Sequence, residues 1–543
     1  MNVINMIKDS EHQISNKVFV MGALIVLCIN IVFHLTYPIN IGAYDYPNYL
    51  RMIADGSSNL VHASGYPAVL CYLLNVFSIT PQLDILNDRD WISAIQSVQF
   101  YLHIILFSTS IWVCNKVFNR TVAFFAMLGW GCNILFMSAV DTAGPEWLQG
   151  HTIILSLLLS AYATSLLGYK KIVSNSLSAL LMGVSYLVKF NAIVFLPILM
   201  IFILFDKTTW RTKIFQVMVS ILFFGILVFS YASTYHYRTT GTKNLTFDHA
   251  WVLITALRED YFLKEPEKLG IHSLRWLTLN LTTPPEYERA HAYTHVDYGA
   301  PPEVKIIYKQ KLDNVLHLSK NELIELVKKN SLPMDFKNIN SATPLYYYYG
   351  LKTTDQLGSK VFFESLLNEP WQYTQRVFIR LANGFVNIPS TTIVPTFVNP
   401  LGVTFTEPNF QTGEIKIKPP VGIFSPYFSA YYNPREIGSL WGIKFFGTID
   451  SLTSSSILYL MGNFILIFGV YKATIQYANK NTLILGVGLL IFMSASTLLF
   501  SIRYKEIVSI TPLYFVLLAI GLAHTCHSLN FALKKRMLQN EKK

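Results

Sequence analysis

The chain has 543 residues, 52% of them hydrophobic, 14% aromatic and only 14% charged, with a net charge of +11. A soluble domain carries about 25% charged residues, so a bilayer is the expected solvent; disordered, collagen-like and disulfide-framework classes are excluded. The five cysteines (Cys28, Cys71, Cys114, Cys132 and Cys526) lie in or beside apolar stretches and form no CxxC pair, which speaks against a structural zinc site.

In chain order, apolar runs long enough for the hydrocarbon core fall at 18–37, 95–115, 122–140, 151–168, 212–232, 453–471, 482–500 and 507–528. The run 172–205 would be about 51 Å long as one helix, far beyond a slab of about 30 Å. Lys189 and Asn191 stand at its middle, so two short spans with a polar elbow at 187–191 are expected. The fold class is thus a polytopic α-helical membrane protein of about ten transmembrane helices with a large mixed extracytoplasmic region. Its divisions are an N-terminal bundle of seven spans at 1–232, with a first outer loop at 38–93; the extracytoplasmic region at 233–451; and three spans with a basic cytoplasmic tail at 452–543. The first span follows Lys8 and Lys17 but has no small-residue cleavage site after it, so it reads as an uncleaved anchor.

Charge sets the sidedness. With the N-terminus inside, the cytoplasmic pieces carry 16 positive residues against 4 negative, and the remaining segments 27 against 28. Every short inside loop is basic, as the positive-inside rule requires. The basic pI is therefore a topology signal and not a nucleic-acid footprint.

No GxGxxG, P-loop, HExxH or GxSxG is present. In the first outer loop, Asp45 lies just beyond the first span among Tyr44, Tyr46 and Tyr49, with His62 and Gly65-Tyr66-Pro67 further on. A carboxylate at the bilayer surface is partly desolvated, which raises its basicity and suits it to general-base work. The competing reading is a surface Asp that starts an interfacial helix. Asp88-Arg89-Asp90 has the DxD form of a divalent-metal site, but its position before the second span suits helix capping. Asp141 and Glu146 flank a short outer turn in which Pro145 can start the next helix; dipole placement and substrate binding both fit.

Lys189 is a costly cation at the elbow of a broken span, where such groups usually face a cavity or an anion; snorkelling is the alternative. Arg503 lies on the same side, between the last two spans. Together they can bind a lipid phosphate. His291 and His295, near Glu288 and Asp297, lack a third metal ligand at characteristic spacing. In the large outer region, Ser319 and Glu322 read as a capping box and Pro370 as a helix-opening proline, while Tyr346–Tyr349 suits packing better than sugar stacking.

This layout resembles the type C membrane glycosyltransferases, particularly the aminoarabinose-transferase and protein O-mannosyltransferase branch. The resemblance rests on Asp45 with its aromatic helix, Gly65-Tyr66-Pro67, Pro145-Glu146, the broken span at Lys189, and Arg503-Tyr504 with Pro512. The helix after Pro370, with Arg376 and Arg380, also looks like a family segment. Many members have adjacent acidic residues in the first loop, whereas Tyr46 follows Asp45 here. The resemblance implies transfer of a sugar from a polyprenyl-phosphate carrier to a lipid, glycan or protein acceptor outside, with inversion. It implies Asp45 as the base, Lys189 and Arg503 on the donor phosphate, and Tyr46, Tyr49, His62, Glu146 and Tyr504 at the substrate. No cofactor is required by this chemistry, and a divalent metal is a candidate, with Asp88 and Asp90 the candidate ligands.

An O-antigen-type polymerase or ligase would use the same lipid-linked saccharides and rest on Arg238, His249 or Arg376. A transporter would show duplicated halves and paired broken helices, whereas one broken span and no repeat are found. Asn244 and Asn280 open Asn-Leu-Thr acceptors for a secretory pathway. The cysteine-free outer region and the lack of a retention signal favour the bacterial inner (cell) membrane, with the site facing the periplasm or outside.

Overall fold

The computed structural model describes residues 14–36, 46–60, 62–81, 88–142, 144–246, 266–284, 295, 297, 299–330, 342–386, 405–408, 415–418, 456–475, 479–499 and 504–540. Asp45, Arg503, His249 and His291 lie outside these residues.

The N-terminal part runs α1 (Asn16–Thr36), α2 (Tyr46–Asp55), α3 (Gly65–Val76), α4 (Arg89–Val117), α5 (Arg120–Gly131), α6 (Ile134–Val140), α7 (Glu146–Ala163) and α8 (Tyr169–Val188). A 3₁₀ turn at Phe190–Phe195 leads to α9 (Leu196–Leu204), and α10 (Trp210–Tyr231) continues through a π-turn (Ala232–His236) into α11 (Tyr237–Thr240). Residues 233–451, expected from the sequence to form the outer region, hold α12 (Ile271–Thr282), α13 (Pro302–His317), α14 (Lys320–Asn330), α15 (Ala342–Tyr349), α16 (Leu351–Asn368) and α17 (Pro370–Val386), then a hairpin of β1 (Phe405–Pro408) and β2 (Ile415–Lys418). The chain closes with α18 (Ser456–Ile475), α19 (Lys480–Leu499) and α20 (Tyr504–Asn540).

Five helices among the described residues are long and apolar enough to cross a membrane: Asn16–Leu35, Asp90–Val117, Tyr169–Val188, Trp210–Thr240 and Val508–Cys526. Gly65–Val76, Phe190–Leu204, Met461–Ile475 and Lys480–Ala495 are shorter apolar helices, so the described residues give five helices of spanning length and not the ten read from the sequence. The elbow falls where the sequence put it, with Lys189 extended between α8 and the 3₁₀ turn. The run 122–140 is not one helix. It breaks at Cys132 and Asn133, because the Asn133 side chain accepts from Phe136 N and starts a new helix. The carbonyl of Gly131, left over at the break, accepts from Asn30 Nδ2.

Helix α7 is the centre of the bundle. It is buried on nearly every side, so its apolar all-round sequence belongs inside a helical core. Against α8 it packs through small hydroxyl residues: Ser156 Oγ donates to Ser178 O (2.7 Å), Ser160 and Ser178 share a hydrogen bond (2.8 Å), and Ser174 Oγ donates to Leu159 O. Small side chains with polar cross-links bring helices close where lipid supplies no hydrophobic drive. A second core lies in the outer region, built around Leu274, Trp276, Leu323, Tyr346, Val361 and Phe362, with Leu60 of the first loop joining it.

Local signals in that region are realised. Ser319 N donates to Glu322 Oε2 (2.8 Å) and Glu322 N donates back to Ser319 Oγ (3.4 Å), the reciprocal cap, and Pro370 opens α17. Tyr346 is buried, Tyr348 stacks on Tyr308 at 4.3 Å, and burial pushes the Tyr349 hydroxyl up to about 12. The tyrosine run is thus spent on packing.

Gly65, the first residue of α3, lies against the end of α8. A Cβ there would stand 2.5 Å from the carbonyl carbon of Leu187 and 2.6 Å from its oxygen, atoms that cannot swing aside. Gly65→Ala should therefore destabilise the protein by about 1–3 kcal/mol, read as an earlier thermal unfolding of the purified protein. Gly225→Ala, inside α10 where a Cβ meets nothing within 4 Å, should unfold at or above the wild-type temperature.

Candidate functional site

A short buried turn between α6 and α7 carries two acids, Asp141 and Glu146, both almost fully inaccessible. An ionised carboxylate in such a place needs a cation and hydrogen-bond donors. Each acid has a partner from a different part of the chain. His34, in the last turn of α1, places Nδ1 2.5 Å from Asp141 Oδ1, and Lys189 at the elbow places Nζ 3.4 Å from Glu146 Oε1.

Neutral amides fix the backbone of the same turn. Gln96 Nε2 donates to Asp141 O (2.5 Å), and Gln99 Nε2 donates to Val140 O (2.9 Å). The Gln99 carbonyl oxygen accepts from Tyr66 OH (2.6 Å) and Trp147 Nε1 (3.1 Å). One glutamine on α4 therefore joins the first outer loop, the acidic turn and the start of α7. Gln149, one turn into α7, donates to the elbow at Lys189 O (3.1 Å) and Asn191 Oδ1 (2.5 Å). Its own amide oxygen is buried without a hydrogen-bond partner among the described residues.

The first loop closes over this turn. Tyr49 on α2 is buried, with its ring edge-on to Tyr66 at 5.7 Å and tilted against His62 at 5.8 Å. Ser58 Oγ is 2.6 Å from His236 Nδ1, and Tyr235 OH donates to Ser57 O, so the π-turn at the end of α10 holds the loop in place.

Deeper in the bundle, Asn30 Nδ2 donates to Val26 O and Gly131 O, which leaves its oxygen to accept from His103 Nε2 (3.1 Å). His103 Nδ1 must then accept from His151 Nε2 (2.7 Å). This neutral chain sits among Phe107, Trp130, Phe136 and Trp147.

Of the residues singled out in the sequence, the structure thus brings together Lys189, Glu146, Tyr49 and His62, through the Gln99 and Gln149 hubs. Tyr46 and Tyr504 are placed as the first residues of α2 and α20. Asp88 is an N-cap whose side chain accepts from Trp91 N at 3.0 Å; it is buried, while Asp90, two residues on, is exposed. They do not share a chelating geometry, and no group of three His, Cys, Asp or Glu side chains fit for a metal occurs among the described residues.

His34, Gln96, Gln99, His103 and Gln149 were not singled out by the sequence reading. Their signal is spacing: Asn30 and His34 are four apart, and Gln96, Gln99 and His103 follow at three and four, which puts each set on one face of an apolar helix.

No protein-family model matches the chain, and no curated protein does. Among solved structures, it is similar to the archaeal oligosaccharyltransferase AglB from Archaeoglobus fulgidus in complex with an inhibitory peptide and a dolichol-phosphate, at a TM-score of 0.43 and 10% identity over 96% of this chain and 51% of that one. An A. fulgidus oligosaccharyltransferase complex with Zn and sulfate gives 0.44 and 11% over 96% and 51%. One tethered to an acceptor peptide containing the NVT sequon gives 0.44 and 10% over 95% and 51%. The chain spans about half the length of these structures.

The Gln99 hub yields a direct expectation. Gln99→Leu is close in size but strands Tyr66 OH, Trp147 Nε1 and the Val140 carbonyl in a buried place, each at about 1–3 kcal/mol. Thermal unfolding should show a loss well above that of Gln375→Leu, at an exposed site on α17. Equal losses would remove Gln99 from its role as the clasp of the turn.

Proposed function

We propose that the chain is an integral-membrane glycosyltransferase. It moves a sugar from a polyprenyl-phosphate carrier to a lipid, glycan or protein acceptor on the outer face of a cell membrane, with inversion at the anomeric carbon. The observation that carries this reading is Lys189. It is an ammonium group at a break in a membrane helix, held 3.4 Å from a buried glutamate. An ammonium at such a break usually faces a cavity or an anion, which supports contact with the phosphate of an incoming donor.

In the reaction, the acceptor hydroxyl attacks the anomeric carbon while Asp45 takes its proton. The bond between that carbon and the phosphate oxygen breaks, and the phosphate leaves with the electron pair. Its growing charge is met by Lys189 and, in this reading, by Arg503; fixed cations at the leaving oxygen act where charge develops. The unpartnered Gln149 oxygen next to the elbow is an acceptor suited to a sugar hydroxyl. Tyr46, Tyr49, His62 and Tyr504 would line the substrate. A divalent metal remains a candidate cofactor, but the described residues do not form a site for one, and no step is routed through it.

The test is sugar transfer from a polyprenyl-phosphate donor in proteoliposomes, with protein level checked for each variant. Asp45→Asn should lower the rate by about 10²–10⁴, the usual weight of a general base. Lys189→Met should raise KM for the donor as well as lower the rate. Asp90→Asn should be near wild type. Full activity in both Asp45→Asn and Lys189→Met would overturn the reading.

A further inference from the structure

Helix α17 joins the two cores. Tyr373 packs against the core of the outer region, with its ring edge-on to Phe362 at 6.0 Å, and Leu381, about two turns on, packs against the core of the membrane bundle. The helix also lies against α18 and α19, two of the apolar helices of the bundle. It therefore sits where the outer region meets the membrane part. Its 17 residues span about 25 Å.

The opposite side of α17 is uncovered. Trp371 is 69% exposed, Phe378 67% and Ile379 61%, and Gln372 and Gln375 are exposed beside them; none of these five residues carries a charge. Just before the helix, Leu367 is 80% exposed at the end of α16. Three large apolar residues exposed together, on a helix outside the spans, are costly to leave in water. The neighbouring α18 shows what the strip is continuous with. Its Met461, Phe464, Ile467 and Tyr471 are exposed as well, and on an apolar helix of the bundle such residues face acyl chains.

We propose that α17 is an interfacial helix, and that the strip of Trp371, Phe378 and Ile379 is buried in the headgroup–acyl boundary of the bilayer that the spans cross. The partner is the lipid surface. An interfacial helix lies in that plane with its exposed apolar residues about 5–10 Å deep, and Trp is favoured there because its ring is amphipathic. Through Tyr373 and Leu381 the same helix then fixes the height of the outer region above the membrane. The inference stands on exposure and packing, and it holds whatever reaction the chain performs.

The experiment uses the full-length protein in lipid nanodiscs, with nitroxides at Trp371→Cys, Phe378→Cys and, as a water-facing control, exposed Lys329→Cys, after replacement of the five native cysteines. At positions 371 and 378 the ratio of oxygen to nickel-chelate accessibility should be several-fold above that at 329. A ratio equal to the control overturns the proposal. So does an immobilised label shielded from both reagents, which would mean that protein covers the strip. Should the cysteine replacements harm folding, Trp371→Phe alone is compared with wild type in vesicles of brominated phospholipid. The emission lost with Trp371 should be the part that the brominated chains quench; emission quenched only by aqueous iodide would contradict the inference.

Discussion

Two carboxylates buried at one end of a helical bundle constrain the arrangement around them. Asp141 and Glu146 lie five residues apart in a turn almost closed to solvent, and a medium of low polarity does not tolerate them unpaired. His34 and Lys189 answer them from α1 and from the α8 elbow, while Gln96 and Gln99 on α4 hold the backbone in between. Three helices are thus fixed relative to one turn. Removal of any one partner leaves a buried polar group without its match, which is why the turn acts as a unit and not as a set of separate contacts.

The same constraint explains why α8 breaks. A continuous helix from 169 to 204 would carry Lys189 within an apolar rod. The break gives its ammonium an acid and frees its backbone carbonyl for Gln149. Gly65 then lets the first outer loop approach the end of α8, and Tyr66 ties that loop to Gln99. A cation, an acid, an amide oxygen without a hydrogen-bond partner among the described residues and a tyrosine–histidine group are in this way gathered at one end of the bundle.

Much of this was legible in the sequence where a signal is local. The elbow announced itself as a charged residue in the middle of an apolar run too long for one span, and Asp88, Ser319–Glu322 and Pro370 behave as their capping positions require. The break at Cys132–Asn133 was not legible, since the apolar composition runs straight across it and a single asparagine side chain makes the difference. The partners of the acidic turn were harder still. His34 and Asp141 are 107 residues apart, and no property of either alone joins them. The polar faces Asn30–His34 and Gln96–Gln99–His103 carried the signal, but helical spacing gives a direction and not a partner. Asp45 and Arg503, on which the proposed chemistry also depends, lie outside the described residues.

The central claim is that Lys189 binds the phosphate of a lipid carrier and pairs with Glu146 without it. The most direct measurement is a structure of the full-length protein in nanodiscs with a polyprenyl phosphate bound. The account predicts the phosphate within hydrogen-bond distance of Lys189 Nζ, at about 2.7–3.2 Å, with the ammonium turned away from Glu146 toward it. A phosphate bound elsewhere, with the Lys189–Glu146 pair unchanged, would contradict it.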